Sequence, residues 1–97
     1  MKDIEKILKT LEGLKETIFT KYKVSKIGVF GSYIKGEQQE MSDIDILVDF
    51  LEGADLIDFI GLALFLEDKL GRKVDLVPDR ALRDELKDSI HREAVYV

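Results

Sequence analysis

The stretch that decides the fold is Gly31 to Asp45, which reads Gly-Ser-Tyr-Ile-Lys-Gly-Glu-Gln-Gln-Glu-Met-Ser-Asp-Ile-Asp. It opens with a glycine and a serine directly after a mainly apolar run at residues 26–30, and it leads into a second apolar run at residues 46–48. This pattern predicts a strand that ends in a small-residue turn, then a polar loop, then a second strand that begins with two carboxylates.

The two carboxylates, Asp43 and Asp45, are separated by one residue at the start of the second strand. Side chains two apart on a strand point to the same face, so Asp43 and Asp45 converge while Ile44 points to the other face. Adjacent carboxylates repel each other unless a cation lies between them. We therefore interpret the stretch as a phosphate and metal site, the alternative being a solvated acidic turn before a strand.

Composition limits the chain to one globular domain over residues 1–97. Its residues are 45% hydrophobic and 36% charged, which is typical of a folded protein. The absence of cysteine from the sequence excludes disulfide bonds and thiolate metal sites.

Charge and hydropathy limit the classes of partner that the chain is expected to bind. The formal net charge is −5 and the lysines are scattered, so direct binding of a nucleic acid is not expected, whereas a small triphosphate accompanied by divalent cations is compatible. Charged residues occupy the N-terminus, and no apolar run approaches the ~18 residues of a membrane span. We expect a cytoplasmic protein with no membrane contact.

The hydrophobic periodicity predicts an α+β (α/β) fold with a small mixed β-sheet and helices packed on one face. Helices are predicted over residues 3–22, 32–35, 56–70 and 80–86, with a further turn or two from residue 88 or 89 to 94; strands are predicted over residues 26–30, 44–50 and 73–77. Asp55 is expected to cap the helix at 56–70 and Gly71 to end it, and Asp79 is expected to cap the helix at 80–86. The tail at residues 95–97 receives no assignment. A helix joining the second and third strands indicates a parallel crossover.

The helical segment 56–66 is apolar around more than one face. A helix of this kind is either buried or packs against a second protein. In so small a domain, we expect one face in the core and another at a homo- or hetero-oligomeric interface.

A third carboxylate, Asp75, lies on the predicted third strand and can join Asp43 and Asp45 if the strands are neighbours. The turn at Gly31 and Ser32 offers a phosphate site beside these carboxylates, because glycine lets the backbone approach a phosphate and free N–H groups can bind an anion.

Lys35 is either a phosphate contact or a solvated loop lysine. His91, the only histidine, is expected to be a surface residue.

The pattern of Gly-Ser, ten residues, Asp-x-Asp and a later Asp resembles the signature of the polymerase-beta-type nucleotidyltransferases, and more closely their minimal nucleotidyltransferase (MNT) members. The resemblance implies a polymerase-beta-like fold in which Asp43 and Asp45 bridge two Mg²⁺ ions and Asp75 completes the catalytic set. It implies that Gly31 and Ser32 hold the outgoing phosphates of ATP. Lys35 lies where many MNT proteins have arginine, so it keeps the charge but loses the bidentate fork.

For MNT proteins the family role is that of an antitoxin paired with a HEPN-domain RNase toxin, which can be neutralised by transfer of AMP to one of its tyrosines. The resemblance therefore implies a Mg²⁺-dependent protein adenylyltransferase. Two alternatives stay open: a non-catalytic antitoxin that acts by binding and occlusion, and a small-molecule nucleotidyltransferase whose acceptor site needs a partner chain.

Overall fold

The computed structural model describes residues 3–39 and 42–97. Along the chain it has α1 (Asp3–Lys21), β1 (Val24–Phe30), α2 (Ser32–Lys35), β2 (Ile44–Phe50), α3 (Leu56–Leu70), β3 (Val74–Pro78), a 3₁₀ turn (Asp79–Ala81), α4 (Asp84–Glu93) and β4 (Val95–Tyr96). The boundaries predicted for α2, β2 and α3 are confirmed, and those of α1, β1 and β3 differ by one or two residues.

The four strands form one mixed sheet in the order β3-β2-β1-β4. β1 pairs antiparallel with β2 on one side and with β4 on the other, whereas β2 and β3 run parallel. Because α3 joins β2 to β3, the predicted parallel crossover is confirmed. β2 therefore lies between β1 and β3, and its residues have neighbours on both sides.

The core lies between one face of this sheet and helices α1 and α3. Alternate residues of β2 face the helices and are fully buried, which follows from the period of two along a strand. The buried cluster includes Ile44, Ile46 and Val48 of β2, Ile7, Leu11 and Ile18 of α1, and Leu62 and Leu66 of α3. The intervening residues of β2, beginning with Asp45, therefore belong to the opposite face.

Helix α3 has the ends that its sequence predicts. The Asp55 side chain accepts from the Asp58 N–H at 3.0 Å, and the Asp58 side chain accepts from the Asp55 N–H at 3.1 Å. This reciprocal capping box satisfies donors that a helix otherwise leaves free. Gly71 ends the helix in the left-handed region, with φ 67°.

The C-terminal third differs from the prediction. A helix over residues 80–86 and a separate turn to residue 94 are wrong, because the chain forms a 3₁₀ turn and then one helix, α4. Leu82 and Arg83 are extended, with ψ 139° and 142°, and separate the two elements. The Asp79 carboxylate, which was expected to cap the helix, instead lies 2.6 Å from Nε2 of His91.

The unassigned tail adds the fourth strand to the sheet. Val95 is the register partner of Val29, and Tyr96 is the partner of Gly28. The Tyr96 ring lies so close to Gly28 that a β-carbon there would meet ring atom Cδ1 at 2.8 Å. The glycine thus makes room for the tyrosine, and β4 brings the end of α4 alongside β1.

Within the part of the chain that the structure describes, no helix combines the length and apolarity needed to cross a membrane.

Candidate functional site

Asp45 and Asp75 lie side by side on the face of the sheet away from the helices. They are register partners in the parallel pair of β2 and β3, so their side chains emerge on the same face. Their charges act on each other, because the negative charge of Asp75 raises the pKa of Asp45. The structure thus brings together two carboxylates that are 30 residues apart in the sequence.

Electrostatics at this pair favour a proton or a cation. Partial burial raises the pKa of Asp45 above its ordinary value, and the neighbouring charges of Asp75 and Asp43 raise it further. A hydrogen bond from the Ser32 N–H opposes these effects by stabilising the charged form. The negative charge of Asp43 therefore also acts on Asp45, although the Asp43 side chain is more exposed than that of Asp45.

Asp43 is held near the pair by contacts of the residue before it. The buried Tyr33 donates from its hydroxyl to the Ser42 carbonyl at 3.4 Å. Nη1 of Arg72 donates to the same hydroxyl at 2.6 Å. Tyr33 and Arg72 thus link α2, the end of the loop and the approach to β3.

The turn at Gly31 and Ser32 presses directly against Asp45. Gly31 has φ 79° and ψ −146°, a conformation that glycine adopts without strain. A β-carbon at Gly31 would collide with the Asp45 carboxylate. The turn can approach the carboxylates only because residue 31 has no side chain.

The prediction that this turn presents free N–H groups is wrong for Gly31. The Gly31 N–H donates to Oε1 of Glu93 at 3.0 Å. Because this donor already has a carboxylate partner, a phosphate at this turn would use other donors, such as the Ser32 hydroxyl and Lys35.

Lys35 ends α2 beside the same turn. Its Nζ lies 3.5 Å from Oε2 of Glu93, and its side chain is 53% exposed. Sequence reasoning missed Glu93, because the tail that places it had no assignment. The alternating apolar residues Val95 and Val97 are the signal that could have indicated a strand there.

Within residues 3–39 and 42–97 there is no ready-made cluster of three or more histidine or acidic side chains that could hold a metal ion. Mg²⁺ does not need such a cage, because it commonly takes one or two protein carboxylates and completes its shell with water and substrate phosphates. The paired oxygens of Asp45 and Asp75, with Asp43 adjacent, are donors of the kind that a hard cation prefers. The donor set fits magnesium bound together with a triphosphate.

Residues 2–97 match the model of the nucleotidyltransferase domain family. This chain belongs to the nucleotidyltransferase domain family. Protein adenylyltransferase MntA of Thermococcus cleftensis is 44% identical over 97 residues, covering 100% of this chain and 98% of MntA. A provisionally named protein adenylyltransferase of Methanocaldococcus jannaschii is 46% identical over 98 residues, covering both chains completely (100% of each).

Solved structures resemble this nucleotidyltransferase domain as well. A provisionally assigned minimal nucleotidyltransferase has a TM-score of 0.76 at 40% identity, covering 91% of this chain and 93% of that one. A toxin–antitoxin with AMP-PNP has a TM-score of 0.69 at 31% identity, covering 88% of this chain and 70% of that one. A tri-AMPylated HEPN toxin of Shewanella oneidensis in complex with MNT antitoxin gives 0.63 at 26%, covering 92% and 70%. The resemblance to the MNT family and the mixed-sheet fold are confirmed.

The contact between Gly31 and Asp45 predicts that Gly31→Ala disturbs the site beyond its backbone strain. Gly36→Ala is the comparison, because Gly36 also has positive φ (73°), in the left-handed helical region, but no atom lies within 4 Å of the added carbon. The ψ of −146° at Gly31 lies close to a region that only glycine enters easily, so Gly31→Ala adds more backbone strain as well as the collision with Asp45. We expect Gly36→Ala to reduce the free energy of unfolding by about 1 kcal/mol, the usual strain of alanine in that region. Gly31→Ala should reduce it clearly more in urea unfolding. Equal losses would contradict the role of this contact.

The raised pKa of Asp45 predicts that Asp45→Asn stabilises the protein when neither metal nor nucleotide is present. The folded state binds the Asp45 proton more tightly than the unfolded state, so stability is lost as pH rises through the folded pKa. Asparagine carries no charge, so we expect the variant to melt a few degrees higher at pH 7 in EDTA. The difference should shrink as pH falls towards the ordinary value of 3.8. Asp68→Asn, on the exposed side of α3, should not change the melting temperature; a lower melting temperature for Asp45→Asn would contradict this account.

Proposed function

We propose that this nucleotidyltransferase domain, taken as one unit over residues 1–97, is an antitoxin that transfers AMP from ATP to a tyrosine hydroxyl of a HEPN RNase toxin and so neutralises it. The observation that carries the proposal is the contact between Asp45 and Asp75 against the glycine turn, with Asp43 adjacent. The relatives named protein adenylyltransferase, and the toxin–antitoxin structures, support it. We also propose that the reaction takes place in the cytoplasm.

In the proposed reaction the acceptor hydroxyl oxygen forms a bond to the α-phosphorus of ATP. The bond from that phosphorus to the bridging oxygen of the β-phosphate breaks, and pyrophosphate leaves with the electron pair. The hydroxyl proton passes to a nearby carboxylate or to water. We assign to Asp75 the orientation of the acceptor, because its side chain is more exposed than that of Asp45.

Asp43, Asp45 and Asp75 are the proposed magnesium ligands, for two ions bound with the nucleotide. When bound, such ions neutralise the developing charge on the attacking and leaving oxygens. The raised pKa of Asp45 is consistent with this assignment, because the side chain lies where a positive charge would relieve repulsion.

Ser32 and Lys35 are the proposed contacts of the β- and γ-phosphates, with Gly31 providing the close backbone approach. The Ser32 hydroxyl is on the turn itself, and the Lys35 ammonium group faces the same turn from the end of α2. An ammonium group pairs with phosphate as a point charge, without the fixed geometry of an arginine.

Helix α3 supplies the proposed partner surface. Leu62 and Leu66 of this helix are fully buried, whereas Ile57 is 79% exposed and Leu64 63% exposed. Leu56 and Ile60 are also exposed and extend the same apolar stripe. Contiguous exposed apolar surface of this kind marks protein interfaces, so we assign the stripe to the toxin or to a second copy of this chain.

The proposed chemistry predicts that each aspartate is required for transfer. In an assay with radiolabelled ATP, Mg²⁺ and the HEPN protein of the neighbouring gene, we expect Asp43→Ala, Asp45→Asn and Asp75→Asn to lower the rate about a thousandfold or more, because several kcal/mol of transition-state stabilisation is lost. EDTA should abolish labelling. Asp68→Asn is the control and should label normally. Labelling by Asp45→Asn at the wild-type rate would refute the proposal.

A second candidate function, neutralisation by binding alone, is favoured by the exposed stripe on α3. Its test separates binding from chemistry in a toxin-rescue growth assay. If transfer neutralises the toxin, Asp45→Asn should bind the toxin but fail to protect. If occlusion neutralises it, Asp45→Asn should protect, and Ile57→Lys with Leu64→Lys should not. Because both side chains are already exposed, the two lysines should leave folding intact.

A further inference from the structure

Glu93 contacts the candidate site from an unexpected direction. It is the last residue of α4, and its Oε1 accepts from the Gly31 N–H at 3.0 Å. Its other oxygen, Oε2, lies 3.5 Å from Nζ of Lys35, and the side chain is only 20% exposed. One carboxylate thus holds both the glycine turn and the lysine proposed to bind phosphate.

The fold delivers Glu93 to this position through two anchors. β4 pairs antiparallel with β1, with Val95 opposite Val29, so continuing the register by two residues brings residue 93 opposite residue 31. In the last turn of α4, His91 is hydrogen-bonded to Asp79 at 2.6 Å. The end of the helix is therefore fixed on both sides of Glu93.

The electrostatic field at the C-terminal end of α4 disfavours an acidic residue at position 93. A carboxylate in the last turn of a helix lies at the negative end of the helix dipole, which is typically unfavourable by about 0.3–1 kcal/mol. The Asp45 carboxylate also contacts the Gly31 turn, so a second acidic side chain lies on the same turn. Violations of a local rule tend to mark functional positions, and here the compensating partners are the Gly31 N–H and the Lys35 ammonium group.

We propose that Glu93 is a positioning residue, which fixes the Gly31–Ser32 turn and directs Lys35 toward the triphosphate. The inference rests on the proposed function. Glu93 of α4 holds the N–H of Gly31, and the Asp45 carboxylate of β2 packs against the same glycine, so carboxylates from two elements hold the turn in one orientation. Lys35, a flexible side chain, loses less freedom on binding phosphate when a partner already restrains it.

Two variants separate the contact of Glu93 with Gly31 from its contact with Lys35, and a third variant is the control. Glu93→Gln keeps an oxygen that can accept from Gly31 but loses the charge that pairs with Lys35, whereas Glu93→Ala loses both. Glu85→Gln, an exposed position in the first turn of the same helix, is the matched control. The readouts are hydrogen exchange of the Gly31 amide, calorimetric affinity for AMP-PNP with Mg²⁺, and the rate of AMP transfer.

We expect Glu93→Ala to speed exchange of the Gly31 amide and to weaken AMP-PNP binding about tenfold, the scale of one charge-assisted hydrogen bond. Glu93→Gln should preserve the slow exchange and weaken binding about threefold. In a Lys35→Met background Glu93→Gln should have no further effect, because its influence passes through Lys35. Glu85→Gln should match the wild type in all three readouts.

Two results would overturn the inference about Glu93. If Glu93→Gln or Glu93→Ala binds AMP-PNP more tightly than the wild type, then Glu93 competes with the triphosphate and the inference is overturned. Unchanged exchange at Gly31 in Glu93→Ala also overturns it. If the wild type binds AMP-PNP but transfers no AMP to the toxin, the proposed function fails while the exchange and affinity measurements still decide the role of Glu93.

Discussion

The in-register parallel pairing of β2 with β3 is the constraint on which the site depends. It places Asp45 directly opposite Asp75 on one face, while Ile46 and Leu76 face the helices. Burying the apolar face of both strands therefore forces the two carboxylates together on the other face. A register shift by one residue would exchange the faces and bury the acids, so the core and the site enforce the same pairing.

The geometry of the glycine turn follows from this pairing. Asp45 reaches the turn because Gly31 has no side chain, and the Ser32 N–H partly offsets its charge. The folded state thus keeps carboxylates close enough to repel one another, an arrangement that a purely structural protein would avoid. Concentrated like charge beside a tight glycine turn is typical of sites where binding of a charged ligand supplies the missing stabilisation.

Helix α3 shows how a small domain divides its apolar surface. A chain of this length has one modest core, and the sheet can cover only one side of α3. Leu62 and Leu66 fill that core, and the stripe around Ile57 and Leu64 stays outside it. The crossover connection thus leaves an apolar surface on α3, which is the surface that we propose for recognition of a partner protein.

The sequence by itself determined the elements whose signals are local. The spacing of apolar residues predicted α1 and α3, Asp55 and Gly71 marked the ends of α3, and alternation predicted β2. It also predicted that Asp43 and Asp45 share a face of the strand, and for Asp43 this stays a prediction because β2 begins at Ile44. These conclusions need no knowledge of distant neighbours.

Only the tertiary structure decided what depends on contacts between distant parts of the chain. Asp75 joined Asp45 through strand register, and Glu93 reached Gly31 because β4 pairs with β1 at the edge of the sheet. The N–H group of Gly31 was taken by a carboxylate 62 residues further along the chain. In place of the helix predicted at residues 80–86 the chain forms a 3₁₀ turn and two extended residues, and Asp79 contacts His91 of α4.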